Sequence, residues 1–347
     1  MLFNPSGDGR LGYMATTRPR VVVSHWVHPE VGDYLAEFCD AVMPTKDAGV
    51  WPRPQLVGLA ADADGLVMSM ADSVDAAFLE DCHRLRVVSA TLKGYDNFDA
   101  DACARRGVWL TIVPDTLIAP TAELTIALVI GIMRRMSEGD RVIRRHSFAG
   151  WHPQLYGSTL QGATVGVVEM GQLGQAVARR LTAFEPRIVY HDSRRLPPER
   201  ERARATTYLD LDQLVMVSDV LVVLLPLTDR TRHLIDASML ARLPAGACLV
   251  NVGRGSVVDE EAVADALEAG SLAGYAADVF SMEDWALPGR PDQIPERLLR
   301  QPRTLFTPYL GSAVDDVRRR MSLEAARQVR QTLEGRRPDH AVNQPRR

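Results

Sequence analysis

The sequence TVGVVEMGQLGQAVA, residues 164–178, decides the fold of this 347-residue chain. Its first five residues form an apolar run typical of a buried β-strand, and residues 172–182 have the pattern of a helix. Between them, Gly171 and Gly174 occupy the second and third glycine positions of the G-x-G-x-x-G fingerprint, which binds a dinucleotide pyrophosphate at a strand–helix turn. The first position is Glu169, whose side chain would crowd the turn and whose charge would oppose a pyrophosphate unless it points away. The stretch predicts a nucleotide-binding unit with one departure.

An acidic residue follows the next predicted strand, residues 187–190. Asp192 is placed where a carboxylate accepts hydrogen bonds from the adenosine ribose hydroxyls, which favours NAD over NADP. Ser193, Arg194 and Arg195 come directly after it and could instead hold a 2′-phosphate. The sequence therefore favours NAD and leaves NADP as the alternative.

Strands and helices alternate on both sides of this unit. Further strands are predicted at residues 21–23, 65–68, 86–89, 108–113, 220–225, 247–252, 274–278 and 304–307. One long helix is predicted from residue 120 to about 146, and a final helix over 313–334. Such alternation is typical of parallel sheets covered by helices. We therefore expect an α/β protein with two Rossmann-like, doubly wound parallel-sheet lobes and a cleft between them, where ligands bind beyond the carboxyl ends of the strands.

The composition excludes several classes of protein. Hydrophobic residues make up 46% and charged residues 24% of the chain, and the net charge is −4, which argues against a nucleic-acid-coating protein. No apolar run approaches the roughly 20 residues that span a membrane. The four cysteines, at 39, 82, 103 and 248, have no C-x-x-C spacing, so we expect reduced cysteines in a cytoplasmic protein. The histidines show no ligand spacing, so we predict no metal site.

The first 19 residues lack the apolar core of a signal peptide. We expect a flexible extension there, and Met14 is an alternative start to Met1.

Six segments carry a family resemblance that runs from about residue 21 to 341. They are LKGYDNFD (92–99), GVWLTIVPD (107–115), PTAELT (120–125), NVGRGSVVDE (251–260), GYAADVFSMEDWA (274–286) and TLFTPYLGSAV (304–314). Together they resemble the D-2-hydroxyacid dehydrogenase family, and LKGYDNFD and FSMEDWA most resemble its phosphite (phosphonate) dehydrogenases. The resemblance implies a discontinuous substrate-binding lobe (residues 20–116 and 308–347), an NAD-binding Rossmann lobe (117–307) and a homodimer.

The resemblance also implies the residues of a site. Arg254 would bind an anionic substrate, Glu283 would support the catalytic base, and Lys93, one of only two lysines, would bind the anion. The other substrate-binding residues would be Gly94, Met70, Leu117, Trp151, Tyr156, Ser312 and Arg318. The cofactor-binding residues would be Thr121, Gly171, Gln172, Leu173, Gly174, Asp192, Leu225, Pro226, Val252, Gly253 and Asp278.

Tyr309 stands where the family has its acid/base histidine. A tyrosine has an ordinary pKa of about 10, against about 6.5 for histidine, so its phenolate is scarce at neutral pH. Lys93 and Arg254 could lower the pKa of Tyr309 and make it a base. Alternatively, Tyr309 only donates a hydrogen bond, or another group such as His152 is the base.

Two functional hypotheses follow. The first is an NAD-dependent oxidoreductase that transfers a hydride between nicotinamide and a small oxyanion substrate, with phosphite first and a 2-hydroxy or phosphonate acid second. The second is a divergent homologue in which Glu169 and Tyr309 mark lost or altered hydride transfer. Such a protein would be a ligand-binding or non-redox biosynthetic protein.

Overall fold

A computed structural model describes residues 18–345. Most of the predicted N-terminal extension, together with both candidate start residues, lies outside the described residues. The chain forms two parallel β-sheets, each covered by helices on both faces, and this confirms the predicted fold class. We call the two halves the five-stranded lobe and the seven-stranded lobe.

The five-stranded lobe contains a parallel sheet with the order β2-β1-β3-β4-β5. Its strands are β1 (Arg20–Val23), β2 (Asp40–Val42), β3 (Gly65–Met68), β4 (Val87–Ala90) and β5 (Trp109–Thr111). Its helices are α1 (Pro29–Ala36), α2 (Arg53–Ala60), α3 (Ala76–Glu80), α4 (Ala100–Arg105) and, from the end of the chain, α13 (Asp315–Leu333). The last helix packs on β3, β4 and α1, so both ends of the chain build this lobe.

The seven-stranded lobe has the order β12-β11-β10-β9-β6-β7-β8, also all parallel. Its strands are β6 (Thr164–Val168), β7 (Arg187–His191), β8 (Thr206–Tyr208), β9 (Val220–Val223), β10 (Cys248–Asn251), β11 (Gly274–Ala277) and β12 (Thr304–Phe306). Its helices are α5 (Ile118–Met133), α6 (Met136–Arg144), α7 (Gln172–Leu181), α8 (Pro198–Arg204), α9 (Leu211–Val217), α10 (Ala237–Leu240), α11 (Glu260–Glu268) and α12 (Glu296–Arg300). The chain changes direction across the sheet between β6 and β9, and such a switch point is where open α/β sheets bind ligands.

The predicted long helix is two helices. The chain leaves α5 at Arg134 and turns through Arg135, which has a left-handed backbone with φ of 54°. The carbonyl of Met133 accepts a hydrogen bond from the backbone N–H of Ser158 instead of continuing the helix. Since Arg134 and Arg135 are good helix formers, the break comes from this tertiary contact and not from local propensity.

Among residues 18–345, no helix is both long and apolar enough to cross a membrane.

Candidate active site

A cleft of about 560 Å³ lies between the two lobes, at the carboxyl ends of strands from both sheets. The five-stranded lobe contributes the turn after β4, and the seven-stranded lobe contributes the turns after β6, β9, β10, β11 and β12. Parallel strands bring these turns to one edge because their carboxyl ends all point the same way.

Arg254 crosses from the seven-stranded lobe to the five-stranded lobe. Its Nε donates to both carboxylate oxygens of Asp96, at 2.9 and 3.1 Å, and its Nη1 donates to the carbonyl of Gly253 at 3.0 Å. Burial opposes the charge, but Tyr309 and Asp96 outweigh it, so the pKa of Arg254 is raised above its ordinary value. A Cβ on Gly94 would overlap the Nη2 atom, so glycine is needed beside the guanidinium. Arg254 is therefore a fixed cation facing the cleft.

Tyr309 is half-buried and lies in a turn with an unusual backbone conformation. Its φ is 56°, a left-handed conformation that is unusual for an aromatic residue. Its backbone N–H donates to the carbonyl of Asp278 at 3.0 Å, and the Asp278 carboxylate accepts from Leu310 N at 2.7 Å and from Gly311 N at 2.8 Å. Asp278 therefore holds the turn that presents Tyr309.

The pKa of Tyr309 is raised and not lowered. Burial is the largest cause, and the negative charges of Asp96 and Glu283 add to this effect. The positive charges of Arg254 and Arg318 act in the opposite direction but do not prevail. Tyr309 is therefore a neutral hydrogen-bond donor near pH 7 and not a ready base.

Glu283 lies behind this turn and not on the wall of the cleft. Its Oε2 accepts a hydrogen bond from the backbone N–H of Phe280 at 2.9 Å, and none of its hydrogen bonds among the described residues goes to Tyr309. Burial, with the nearby charges of Asp278 and Asp284 and despite the Phe280 hydrogen bond, raises the pKa of Glu283 to about 7. Glu283 acts on Tyr309 through its charge and not by contact.

Two buried carboxylates tie the Arg254 turn to the Glu283 turn. Asp284 Oδ2 accepts from Ser256 N at 2.7 Å, and Glu260 Oε1 accepts from Ser281 N at 2.8 Å. A Cβ on Gly255 would overlap the backbone of Phe280, so the two turns are in direct contact. The positions of Arg254 and Glu283 are thus set together.

Three side chains elsewhere in the site are linked by hydrogen bonds. Lys93 Nζ donates to Gln172 Oε1, and Gln172 Nε2 donates to Asp115 Oδ1 at 2.8 Å. Burial lowers the pKa of Lys93, although the carboxylates of Asp115 and Glu169 partly offset this. Because Gln172 is the first residue of α7, these hydrogen bonds join the five-stranded lobe to the fingerprint turn.

The fingerprint turn tolerates Glu169 in the position of the first glycine. Glu169 has a φ of 83°, a conformation that glycine adopts without strain, and its side chain lines the cleft. Burial and the charge of Asp192 raise the pKa of Glu169 to about 7, despite the opposing charge of Lys93. The side chain therefore does not point away from the site, as the sequence left possible.

The rest of the turn fits a dinucleotide. A Cβ on Gly174 would overlap the carbonyl oxygen of Glu169, so strand and helix pack as the fingerprint requires. No side chain caps the N-terminus of α7, which leaves its backbone N–H groups open to an anion. Asp192 stands at the end of β7 and accepts from Met170 N at 2.8 Å and from Arg194 N at 2.9 Å.

Comparison with known proteins agrees with this geometry. Residues 126–311 match the family model described as D-isomer specific 2-hydroxyacid dehydrogenase, NAD binding domain. A glyoxylate reductase from Aeropyrum pernix is 36% identical over 331 residues, covering 94% of this chain and 96% of that protein. The chain belongs to the D-isomer specific 2-hydroxyacid dehydrogenase family. It is therefore a hydride-transfer oxidoreductase with a NAD(P)-binding domain.

Solved structures resemble this dehydrogenase over more than nine-tenths of its length. The TT0316 protein from Thermus thermophilus has a TM-score of 0.82 at 34% identity, covering 93% of this chain and 99% of that one. An NADPH-dependent glyoxylate/hydroxypyruvate reductase from Sinorhizobium meliloti, solved with NADP and malonate, has a TM-score of 0.81 at 28% identity, covering 95% and 99%.

Most of the predicted site residues of the dehydrogenase line the one cleft. These are Met70, Lys93, Gly94, Leu117, Thr121, Gln172, Leu173, Leu225, Pro226, Val252, Gly253, Arg254, Asp278, Tyr309, Ser312 and Arg318. Gly171, Gly174, Asp192 and Glu283 are not among the residues that line it. Trp151 and Tyr156 are 86% and 76% exposed, and they and the exposed His152 lie outside the cleft of this chain.

Sequence reasoning missed three carboxylates that position the site. Asp96 and Asp115 lie inside the segments LKGYDNFD and GVWLTIVPD, and Asp284 lies inside FSMEDWA. Each is in a segment that was singled out for its resemblance. For Asp96, the available signal was that a buried cation such as Arg254 needs an acidic partner, but only the fold shows which acid this is.

Proposed function

We propose that this dehydrogenase reduces small 2-oxo acids to 2-hydroxy acids with a nicotinamide cofactor. The observation that carries the proposal is that one cleft is lined by a fixed cation, Arg254, and by the phenol of Tyr309, whose pKa is raised. Reduction of a ketone needs a proton donor for the oxygen, and a phenol that stays protonated at neutral pH suits that role. The relatives printed as glyoxylate reductases support the same direction.

We assign substrate binding, proton donation and positioning to different residues of the site. The nicotinamide supplies the hydride when it is bound. Arg254 would bind the carboxylate of the substrate through its remaining N–H groups, held in place by Asp96. Tyr309 would donate a hydrogen bond and then its proton to the substrate oxygen as negative charge develops there. Asp278 would hold Tyr309 in position through the turn that it ties down.

NAD is the proposed cofactor, held by the open N-terminus of α7 and by Leu225, Pro226, Val252 and Gly253. Asp192 remains at the end of β7, and carboxylate oxygens have lone pairs left for ribose hydroxyls. Arg195 is committed to Glu201 through two hydrogen bonds of 2.8 and 2.9 Å, so it is not free to bind a 2′-phosphate. We therefore expect a lower KM for NADH than for NADPH.

Phosphite is the second candidate substrate. It is favoured by the three cations of the cleft, Lys93, Arg254 and Arg318, which suit a small anion of high charge. It is disfavoured by Tyr309, because oxidation of phosphite requires a base that takes a proton from water and the pKa of this phenol is raised.

One pair of assays decides between the two substrates. NADH consumption with glyoxylate and NADH formation from NAD with phosphite are both followed by absorbance of the reduced cofactor. Consumption with glyoxylate supports the proposal. Formation with phosphite alone would replace it with the second candidate, and activity with neither would show that neither anion is a substrate of this dehydrogenase.

Glu169 should make cofactor binding depend on pH. The Kd for NADH is expected to rise about tenfold between about pH 6 and about pH 8, because the carboxyl with a pKa of about 7 becomes negative beside the pyrophosphate. In Glu169→Gln the Kd should be the same at both values and should equal the low-pH Kd of the parent protein. Fluorescence titration of the cofactor measures both.

The matched control is Glu199→Gln, an exposed carboxylate on α8. It should keep the pH dependence of the parent protein. A pH-independent Kd in the parent protein would show that the Glu169 carboxylate does not meet the pyrophosphate.

We further propose a homodimer in the cytoplasm. Five large apolar side chains are exposed between residues 136 and 156, which suggests a covered surface: Met136, Ile143, Phe148, Trp151 and Tyr156. All four cysteines are buried and unpaired, as expected in a reducing compartment. Light scattering coupled to gel filtration tests the dimer.

A further inference from the structure

Three consecutive arginines at the start of α13 differ in their surroundings. Arg319 and Arg320 both form ion pairs with Asp316, the latter at 2.9 Å. Arg318 is half-buried and lines the cleft. Within residues 18–345 it forms no salt bridge and no side-chain hydrogen bond. Two of the three arginines are therefore paired with an acid on their own helix. The third, Arg318, lines the active-site cleft and has no such partner.

The position of the Arg318 charge is energetically unfavourable when no ligand is bound. Burial lowers its pKa, although the charges of Tyr309 and Asp278 oppose this. A cation in the first turns of a helix also faces the positive end of the helix dipole. Asp278 does not relieve it by contact: no hydrogen bond or salt bridge joins the two side chains, and the carboxylate already accepts from the Thr307 hydroxyl and from the backbone N–H groups of Leu310 and Gly311. A half-buried cation that has no acidic partner and opens onto a cleft is suited to bind an anion.

Arg318 and Arg254 act on the same phenol. Arg254, Arg318 and Tyr309 all line the same cleft, and the positive charges of both guanidinium groups favour the ionised form of Tyr309. The proposed substrate uses Arg254 for its carboxylate and Tyr309 for its keto oxygen. A 2-oxo acid with a single carboxylate, such as glyoxylate, would leave Arg318 buried without an anion even in the bound state.

We propose that Arg318 binds a second anionic group, so that the preferred substrates are 2-oxo acids with a second carboxylate or a phosphonate. This inference rests on the proposed function, in which Arg254 binds the first carboxylate. Lys93 adds positive charge to the same cleft, and its only hydrogen-bond partner among the described residues is the neutral amide of Gln172. Because nearby positive charge favours the ionised form of an acid, we expect the second anionic group of the substrate to be fully ionised at neutral pH.

The kinetic test compares substrates of similar length that differ in charge. We expect kcat/KM with NADH to be at least about tenfold higher for oxaloacetate than for 2-oxobutanoate, which has one carboxylate. Arg318→Gln should lose about 10- to 100-fold with oxaloacetate, mainly through KM, and less than about fivefold with 2-oxobutanoate. Arg318→Lys, which keeps the charge, should recover part of the loss. Phosphonopyruvate in the same series shows whether carboxylate or phosphonate is the better second group.

Arg320→Gln is the matched control, because Arg320 lies on the same helix but pairs with Asp316 away from the cleft. It should behave as the parent protein with every substrate. Equal losses for oxaloacetate and 2-oxobutanoate in Arg318→Gln, or no preference in the parent protein, would overturn the inference while leaving the proposed function intact.

A binding measurement separates this inference from the proposed function. Without cofactor, D-malate should raise the thermal unfolding midpoint of the parent protein more than 2-hydroxybutanoate does, and this difference should vanish in Arg318→Gln. If that pattern holds while no 2-oxo acid consumes NADH, the dianion site stands and the proposed function falls. If D-malate and 2-hydroxybutanoate act alike, the second anion site is refuted whatever the activity.

Discussion

Replacing Tyr309 by phenylalanine is expected to lower kcat for 2-oxo acid reduction by about 10²- to 10³-fold and to change KM by less than about threefold. The substitution removes one oxygen atom and keeps the aromatic ring. Substrate binding through Arg254 is retained, so the loss should fall on the step in which charge develops on the substrate oxygen. Steady-state kinetics with NADH and glyoxylate measure both constants.

The pH profile distinguishes the phenol from other donors. Because burial raises the pKa of Tyr309 above its ordinary value, the phenol stays protonated and kcat for reduction should be flat from about pH 6 to about pH 9. Tyr309→His introduces a group with an ordinary pKa of about 6.5, so its kcat for reduction should fall as pH rises above neutrality. The same variant should gain activity in the oxidation of 2-hydroxy acids, for which a neutral imidazole is a better base.

Tyr208→Phe is the control, since this tyrosine lies on the edge strand β8, outside the cleft. It should leave kcat unchanged. Full activity in Tyr309→Phe would show that the proton comes from another group, and a parent profile that falls through pH 7 would point to an acid such as Glu283, whose pKa is about 7.

The strands at the centre of the fold could be predicted from the sequence because both their faces are buried. β3 and β6 occur at the predicted residues, 65–68 and 164–168, since a strand covered by helices on both sides is a continuous apolar run. The edge strands β2 and β8 were missed, because three residues with one open side carry little pattern. The short helices α10 and α12 were also missed, because a helix of so few residues carries little pattern.

Site residues could be predicted where they belong to one sequence motif, but contacts between separate segments could not. Arg254 and Gly94 lie in separate segments, and only the fold shows that the guanidinium rests on the glycine and pairs with Asp96. For the same reason, the sequence left open whether Tyr309 is a base or only a hydrogen-bond donor. The cations were visible in the sequence, but the burial of the phenol and the acid that neutralises Arg254 were not.

Replacing Arg254 by glutamine is expected to reduce both activity and stability. kcat/KM should fall by at least about 10³-fold, because the substrate carboxylate loses its charged partner in a desolvated cleft. The free energy of unfolding should fall by about 3–5 kcal/mol, because Asp96 is left as a buried charge without a partner. The two side chains are only 11% and 13% exposed, so water cannot replace the guanidinium at little cost.

A second substitution separates the two effects. Adding Asp96→Asn to Arg254→Gln removes the unpaired charge, so most of the lost stability should return while kcat/KM stays low. Urea unfolding and kinetics on the parent protein, both single variants and the double variant complete the cycle. Asp96→Asn alone should keep substrate binding through Arg254 but weaken it, since the guanidinium loses the carboxylate that fixes its orientation. If the double variant is no more stable than Arg254→Gln, the stability lost in Arg254→Gln does not come from an unpaired charge on Asp96.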